Sequence, residues 1–251
     1  MAASRRLATP IAALAAIVLF LLYDPWVVAP DSARPALTVV FWVAAIALLV
    51  LLFADRKEPQ AQVVEVEGPA FSRYLFSNSR AGLFWLPIRI FVGFEWLIAG
   101  WEKVSGHGWT DGGSALLGFW KGAVAIPQTG KPSITFEWYR SFLQILIDNH
   151  AQNWFGWLIA LGEVAVGLGL LLGALVGIAA FFGATMNMSY MLAGSASTNP
   201  VLFALTVGII LAWRVAGYYG VDRFLLPRLG VPWRKGPVVV GTSGEGAAAA
   251  T

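Results

Sequence analysis

The 251-residue sequence contains no cysteine. It can therefore form no disulfide, and it offers no thiolate to a metal ion, an iron–sulfur cluster or a covalently attached c-type haem. Histidine is almost as scarce, since only His107 and His150 occur, and no carboxylates are spaced around them as in a metal site. We therefore expect no haem, no iron–sulfur cluster and no metal, so any redox cofactor must be diffusible or supplied by another chain.

Charged residues are also rare. They make up 12% of the chain, whereas hydrophobic residues make up 58% and the mean hydropathy is +0.69. Soluble domains are about 25% charged. Runs of about 18 or more apolar residues cross the hydrocarbon layer as helices, because a helix satisfies its own backbone hydrogen bonds. The sequence thus predicts an all-α membrane protein with six spans, at residues 10–28, 36–54, 83–101, 154–172, 174–193 and 201–219.

The few basic residues indicate the orientation of these spans. Most Lys and Arg side chains flank the helix ends on one predicted side, which the positive-inside rule makes cytoplasmic. Both termini are then cytoplasmic in a bacterial-type plasma membrane. The net charge of +3 does not indicate nucleic acid, because its residues lie beside the helix ends. Arg5 and Arg6 before the first apolar run also suit a cleaved signal peptide, although Pro30 disfavours cleavage after Ala29.

Spacing of the apolar runs suggests how the chain is organised. We predict two N-terminal transmembrane helices in 1–54, a cytoplasmic linker in 55–81, a four-helix unit in 82–223 and a cytoplasmic, largely disordered tail in 224–251. An extracytoplasmic insertion at 104–153 separates the first two helices of the four-helix unit. Within it, residues 134–147 mix aromatic and polar side chains, as in a helix that lies at the membrane interface.

The third predicted span carries a stripe at helical spacing. Its members recur every three or four residues and are Arg89, Gly93, Trp96, Gly100 and Lys103. Glycines on such a stripe allow another membrane helix to approach closely. We expect this stripe to face protein and not lipid. Glu95 and Glu102 form a second stripe, seven residues apart.

Four charged residues fall inside predicted spans: Arg89, Glu95, Glu163 and Arg214. A charge in hydrocarbon costs at least about 2.5–3.5 kcal/mol, so each should be paired or functional. Our preferred ion pair is Arg89 with Glu163. The four charges could neutralise one another and fix helix register, or form a proton or quinone site. Asn187 lies on a small-residue face. A membrane-buried Asn more often hydrogen-bonds to a neighbouring helix than binds a ligand.

Several of these residues are arranged as in a known family. The spacing Arg89-x3-Gly93-x6-Gly100-x2-Lys103 resembles the opening helix of the DoxX/DoxD four-helix membrane proteins. Gly162-Glu163 with Gly167, then Asn187, then the run from Ala216 to Arg223 resemble its later motifs, in the expected order. The resemblance covers residues 83–223. The extracytoplasmic insertion at 104–153, called the outer segment below, is more similar to the DoxD branch than to the short DoxX proteins. The two predicted helices in 1–54 depart from the family pattern.

This resemblance implies a function. DoxD-type chains are subunits of thiosulfate:quinone oxidoreductase, and DoxX-type chains are partners in membrane thiol redox complexes. It implies a quinone-linked oxidoreductase subunit with a second subunit or soluble redox partner, and a homo-oligomer is possible. The catalytic residues implied by this function are Glu163, Arg89 and Glu95. The quinone-binding residues are Arg89, Trp96, Lys103, Asn187 and Arg214.

Two other functions fit the same residues. The helices could be a non-catalytic anchor that holds a redox or sulfur-handling partner through the outer segment. They could also form a small-solute or proton-coupled transporter, for which buried charges are typical. A transporter would be expected to show broken helices and inverted repeats, and neither is evident in the sequence.

Overall fold

The computed structural model describes residues 10–11, 13–15, 17–18, 34–55, 68–231 and 233. These residues lie in helices, turns and irregular connections, and none of them is in a β-strand. The chain is therefore all-helical in this part, as predicted. Among the described residues, two helical stretches are long and apolar enough to cross a membrane: Ser79–Ser105, with mean hydropathy 1.5, and Gln152–Leu172, with mean hydropathy 2.0.

The chain divides into two compact units. The first comprises Met1–Val66, Ala115–Gln152 and Tyr190–Ser195. The second comprises Glu67–Ser114, Asn153–Ser189 and Ala196–Thr251. The charged and polar residues of the predicted site all belong to the second unit.

The first unit contains helices α1 (Arg34–Asp55) and α5 (Glu137–Asp148) and nearly all of α4 (Ser114–Val124). Arg140, buried on α5, contacts both ends of the segment between α4 and α5. Its guanidinium donates to the carbonyl oxygens of Val124 at 2.5 Å and Ile134 at 2.9 Å, and to a Glu137 carboxylate oxygen at 3.1 Å. The segment between α4 and α5 is thus tied down at both ends by one side chain.

The second unit contains most of the apolar helices. After a short helix α2 (Ala70–Ser77) and a 3₁₀ turn (Ser79–Ala81), its elements are α3 (Gly82–Ser105), all but the first residue of α6 (Gln152–Leu172), all but the last three residues of α7 (Val176–Leu192), α8 (Asn199–Leu211), α9 (Trp213–Ala216) and α10 (Asp222–Arg228). The predicted linker therefore ends in helical structure, and α10 crosses the predicted boundary between the four-helix unit and the tail. Trp85 of α3 donates its indole N–H to the Leu75 carbonyl at 2.8 Å, which fixes α2 against α3.

Glycines set the packing of α3 against α6. A methyl group on Gly93 would lie 2.9 Å from the Leu170 Cβ, and one on Gly100 would lie 2.6 Å from the Val164 amide nitrogen. On the facing helix, a methyl group on Gly167 would lie 2.6 Å from the Leu97 nitrogen. Residue numbers thus rise along α3 as they fall along α6, so the two helices are antiparallel. The predicted stripe of α3 does face protein.

The last predicted span is interrupted. Helix α8 ends at Leu211, and a separate turn of helix, α9, follows Ala212. The predicted single helix at 201–219 is therefore wrong. The Ala212 backbone leaves helical geometry with φ −92° and ψ 11°, and the Trp213 side chain packs against Gly177, where a methyl group would lie 3.0 Å from its Cβ.

Some predictions fall outside the described residues. They concern most of the first span at 10–28, the linker residues 56–67, and the tail at 232 and 234–251. Both predicted cytoplasmic termini and the signal-peptide alternative also lie there.

Candidate functional site

A buried ion pair joins α3 to α6. Lys103 Nζ lies 2.7 Å from Glu163 Oε2, and the side chains are 18% and 1% exposed. Gly100 makes the pair possible, since a methyl group there would lie 2.9 Å from the Glu163 Cβ. Lys103 follows one turn later and leans back toward this contact, as side chains on a helix do. The carboxylate is thus buried, while its partner keeps partial access to the surface.

Lys103 is held by two further contacts. Its ammonium donates to the Ala99 carbonyl at 3.3 Å and lies 4.9 Å from the centre of the Trp109 ring. A cation over an indole face is attracted by the ring quadrupole. The Trp109 ring therefore covers the lysine of the ion pair.

The ion pair predicted from the sequence, Arg89 with Glu163, is wrong. Arg89 donates from Nη2 to the Tyr219 carbonyl at 3.2 Å, and its guanidinium lies against Gly173 and Gly220. Because α3 and α6 are antiparallel, Arg89 faces the end of α6, whereas Glu163 faces Gly100. At about 1.5 Å per residue, Gly173 and Glu163 are roughly 15 Å apart along the axis, too far for an ion pair.

A different carboxylate, that of Asp222, is near enough for its charge to act on Arg89. Both residues are buried. Asp222 accepts hydrogen bonds from the backbone N–H groups of Leu175 at 2.7 Å and Val176 at 2.9 Å. Burial raises the pKa of Asp222, while these two N–H groups and the Arg89 charge act to lower it.

This carboxylate caps α7 from a distant part of the chain. The first N–H groups of a helix have no intrahelical partner, and here residue 222 supplies one for the start of α7. The Asp222 N–H donates in turn to the Gly173 carbonyl at 2.8 Å. Gly173 has φ +67°, and a side chain there would collide with Arg89. Arg89, Gly173 and Asp222 are thus a structural junction.

A second polar group lies between α3 and α7. Trp96 is 3% exposed and Asn187 is fully buried. Neither the Trp96 indole N–H nor either polar atom of the Asn187 amide has a hydrogen-bond partner among the described residues. Gly183 makes room between the helices, since a methyl group on it would lie 3.1 Å from Trp96 Nε1 and from a methyl carbon of Val166.

Two predicted site residues lie away from these groups. Glu95 is half-buried on the face of α3 next to the stripe. Arg214 lies in α9 beyond the interruption at Ala212, where its exposed guanidinium lies 5.5 Å from the centre of the Trp213 ring. The structure therefore brings together Glu163 with Lys103, and separately Trp96 with the turn of α7 that precedes Asn187. It leaves Glu95 and Arg214 apart.

The turn after α3 contains a further titratable pair. His107 Nδ1 lies 3.0 Å from Asp111 Oδ2, and the Gly108 N–H donates to the other carboxylate oxygen. The Gly108 N–H and then His107 lower the pKa of Asp111. Both side chains are exposed. Among the described residues no group of three or more His, Asp or Glu side chains is arranged to hold a metal ion.

The unpartnered polar atoms can both donate and accept hydrogen bonds. The Trp96 indole N–H and the Asn187 amide nitrogen are donors, and the Asn187 amide oxygen is an acceptor. Glu163 and Lys103 provide a carboxylate and an ammonium in the same unit. Sequence reasoning did not find the role of Asp222, because its partners are backbone groups about 46 residues earlier in the chain. No protein-family model, curated protein or solved structure matches the chain.

Proposed function

We propose that this protein is a multi-pass plasma-membrane subunit of a quinone-linked oxidoreductase. In this proposal it resembles the DoxD-type subunit of thiosulfate:quinone oxidoreductases. Helices α3, α6, α7 and α8 then correspond to a DoxX-like four-helix bundle, preceded by two additional transmembrane helices, with both termini cytoplasmic. The observation that carries the proposal is the buried Glu163–Lys103 ion pair in a unit that also holds unpartnered Trp96 and Asn187 side chains.

The ion pair supports a functional site because it is costly in an apolar setting. Desolvating two charges costs several kcal/mol per ion, which their attraction offsets only with excellent geometry. Intramembrane ionisable residues are for that reason rare and typical of functional sites. The 2.7 Å contact stabilises a buried carboxylate that an all-aliphatic interface would not need.

Each residue has a distinct task in this proposal. A bound quinone supplies the capacity to take up two electrons and two protons. Trp96 and Asn187 hold and orient its headgroup by hydrogen bonds. Glu163 holds or releases a proton at Oε2, and Lys103 balances the carboxylate charge from a position with partial access to the surface. The electrons come from a second subunit or a soluble redox partner, as the resemblance to DoxD-type subunits implies.

The test is turnover in membranes. Membranes that contain this chain and the products of its neighbouring genes are assayed for thiosulfate-dependent reduction of decylubiquinone. We expect Glu163→Gln to lower the rate by about 100-fold, within the usual range for a general acid or base. Glu102→Gln, at an exposed position of α3, next to Lys103, is the matched control. Equal rates for the two variants, with both proteins inserted and folded, would remove Glu163 from the mechanism.

A non-catalytic anchor is the second candidate function. The bracing of the outer segment by Arg140 favours it, because a fixed segment is suited to hold a partner. An anchor would bind its partner but show no dependence of turnover on Glu163. Co-purification of one partner with wild type and with Glu163→Gln, at equal turnover, would favour the anchor.

The interruption at Ala212 is the feature that would suit a transporter. Broken helices in transporters expose backbone groups that bind the solute or ion. Here the Ala212 N–H donates to the Gly208 carbonyl at 3.0 Å, and its carbonyl accepts from Val215 at 2.8 Å. The interruption therefore leaves the polar backbone groups of Ala212 engaged, and we keep transport as the less favoured function.

A further inference from the structure

We infer that Asn187 and Trp96 form one neutral binding site for the headgroup of a quinone and for its reduced, hydroxyl-bearing form. The inference rests on the proposed function and deepens it, because it assigns the recognition of the ligand to two uncharged side chains. Arg89, Lys103 and Arg214, which the sequence also suggested as quinone ligands, are not part of this site.

Asn187 lies on the buried face of α7. The buried face of this helix includes Val176, Ala180, Gly183 and Asn187, so Asn187 follows Gly183 by one turn. Side chains on a helix lean toward its N-terminus and cover the preceding turn. The Asn187 amide therefore lies toward the space above Gly183.

The Trp96 side chain is directed at the turn of α7 that contains Gly183. Its indole nitrogen would lie 3.1 Å from a methyl group on Gly183, so the N–H reaches α7 where no side chain projects. Positions four residues apart on a helix are about 5–6 Å from each other. The Trp96 N–H and the Asn187 amide thus flank one small region, yet they are not hydrogen-bonded to each other or to other described residues.

The polar side-chain atoms of Trp96 and Asn187 have no hydrogen-bond partners among the described residues. Buried polar atoms in proteins are almost always hydrogen-bonded, and each exception calls for an explanation. A membrane-buried Asn usually bonds across to a neighbouring helix. Neither atom of the Asn187 amide does so here. Three unpartnered atoms from two helices at one turn are instead what a ligand site requires.

The hydrogen-bonding groups of the two side chains indicate the class of ligand that they can bind. An Asn amide both donates and accepts, whereas an indole N–H only donates. The pair can donate to the carbonyl oxygens of an oxidised quinone, and Asn187 Oδ1 can accept from a hydroxyl of the reduced form. Lys103 is already engaged by Glu163 at 2.7 Å, so a neutral headgroup fits this pair better than an anion does.

The test measures binding, not turnover. Full-length protein in lipid nanodiscs is stripped of native quinone and titrated with decylubiquinone, and the bound amount is determined by extraction and absorbance. We expect Asn187→Leu and Trp96→Phe each to weaken binding about tenfold, which corresponds to about 1.4 kcal/mol. The matched controls are Asn149→Leu and Trp101→Phe, the same changes at exposed positions, which should bind as wild type does.

Thermal unfolding without quinone separates a ligand site from structural glue. Asn187→Leu removes no protein hydrogen bond that the structure shows, so its melting temperature should equal or exceed that of wild type. A lower melting temperature together with unchanged binding would make Asn187 structural and overturn the inference.

The two proposals fail in different ways. If wild type binds decylubiquinone but both variants bind it within twofold of wild type, the site assignment is wrong and the quinone-linked function stands. If quinone-free wild type does not bind decylubiquinone, the site and the proposed function both fail. Should Asn187→Leu not fold, Trp96→Phe, which keeps an aromatic side chain but removes the indole N–H, decides the outcome alone.

Discussion

The Asp222 carboxylate accepts the backbone N–H of Val176 at 2.9 Å, across 46 residues of chain. It thereby ties the segment after α9 to the first turn of α7. Leu175, which donates to the other carboxylate oxygen at 2.7 Å, has a positive φ of 49°. Non-glycine residues adopt such a conformation when surrounding contacts impose it. The carboxylate supplies one of these contacts.

Removal of this carboxylate should destabilise the fold. Asp222→Ala leaves the Leu175 and Val176 N–H groups without their acceptor, and lost caps and unsatisfied buried groups each cost about 1–2 kcal/mol. We expect a clearly lower melting temperature in detergent, and a smaller decrease for Asp222→Asn, which keeps one acceptor oxygen. Asp148→Ala, at an exposed residue, is the control and should melt as wild type does. Equal melting temperatures for both alanine variants would contradict the role of Asp222.

Close contact of α3 with α6 leads to a second prediction. A methyl group on Gly100 or Gly167 would lie 2.6 Å from backbone atoms of the facing helix, so Gly100→Ala and Gly167→Ala should push the helices apart. Overpacking of this kind costs about 1–3 kcal/mol. Gly118→Ala, where nothing lies within 4 Å of the added methyl group, should leave the melting temperature unchanged or raise it. A Gly100→Ala protein as stable as Gly118→Ala would show that the helices are not held this closely.

The sequence predicted much of this interface but not its offset. The spacing of Arg89, Gly93, Trp96, Gly100 and Lys103 identified the buried face of α3, because period and residue size are local properties. Which residue of α6 faces which residue of α3 depends on how far the helices slide along each other. From the sequence we preferred an ion pair of Arg89 with Glu163, whereas the glycine contacts place Glu163 near Gly100.

The interruption at Ala212 was likewise hidden. Residues 201–219 are apolar and contain no proline, so their composition favours one continuous helix. The end of α8 coincides with the packing of Trp213 on Gly177, a contact between distant parts of the chain. Arg214 follows the interruption and therefore lies outside the position that a straight helix would give it.

The turn of Asp111 should depend on pH. The Gly108 N–H and His107 lower its pKa from the usual 3.8. A depressed pKa in the folded state means that the carboxylate stabilises the turn above 3.8 and that this contribution is lost as pH falls through the lower, folded value. Hydrogen exchange of the Gly108 amide, corrected for its intrinsic rate, should thus accelerate at the acid end. Asp111→Asn should abolish this dependence, and an unchanged profile would disprove it.

The Lys103–Glu163 pair can be tested by a double-mutant cycle. Lys103→Met removes the 2.7 Å partner of the buried Glu163 carboxylate, and breaking a buried ion pair from one side costs about 3–5 kcal/mol. Glu163→Gln alone removes the charge that Lys103 balances, at a smaller cost because Lys103 retains access to the surface. The double variant contains neither the Lys103 nor the Glu163 charge, so it should be more stable than Lys103→Met.

Chemical denaturation in lipid–detergent micelles measures the four proteins of this cycle. A coupling energy above about 1 kcal/mol, positive in the sense that the second change rescues the first, would show that the two charges depend on each other. Additive effects would mean that each residue is stabilised by other groups. A strongly coupled pair whose double variant is stable but fails to reduce quinone would separate the two properties: the charges would then be retained for proton handling, and the apolar replacement would suffice for the fold.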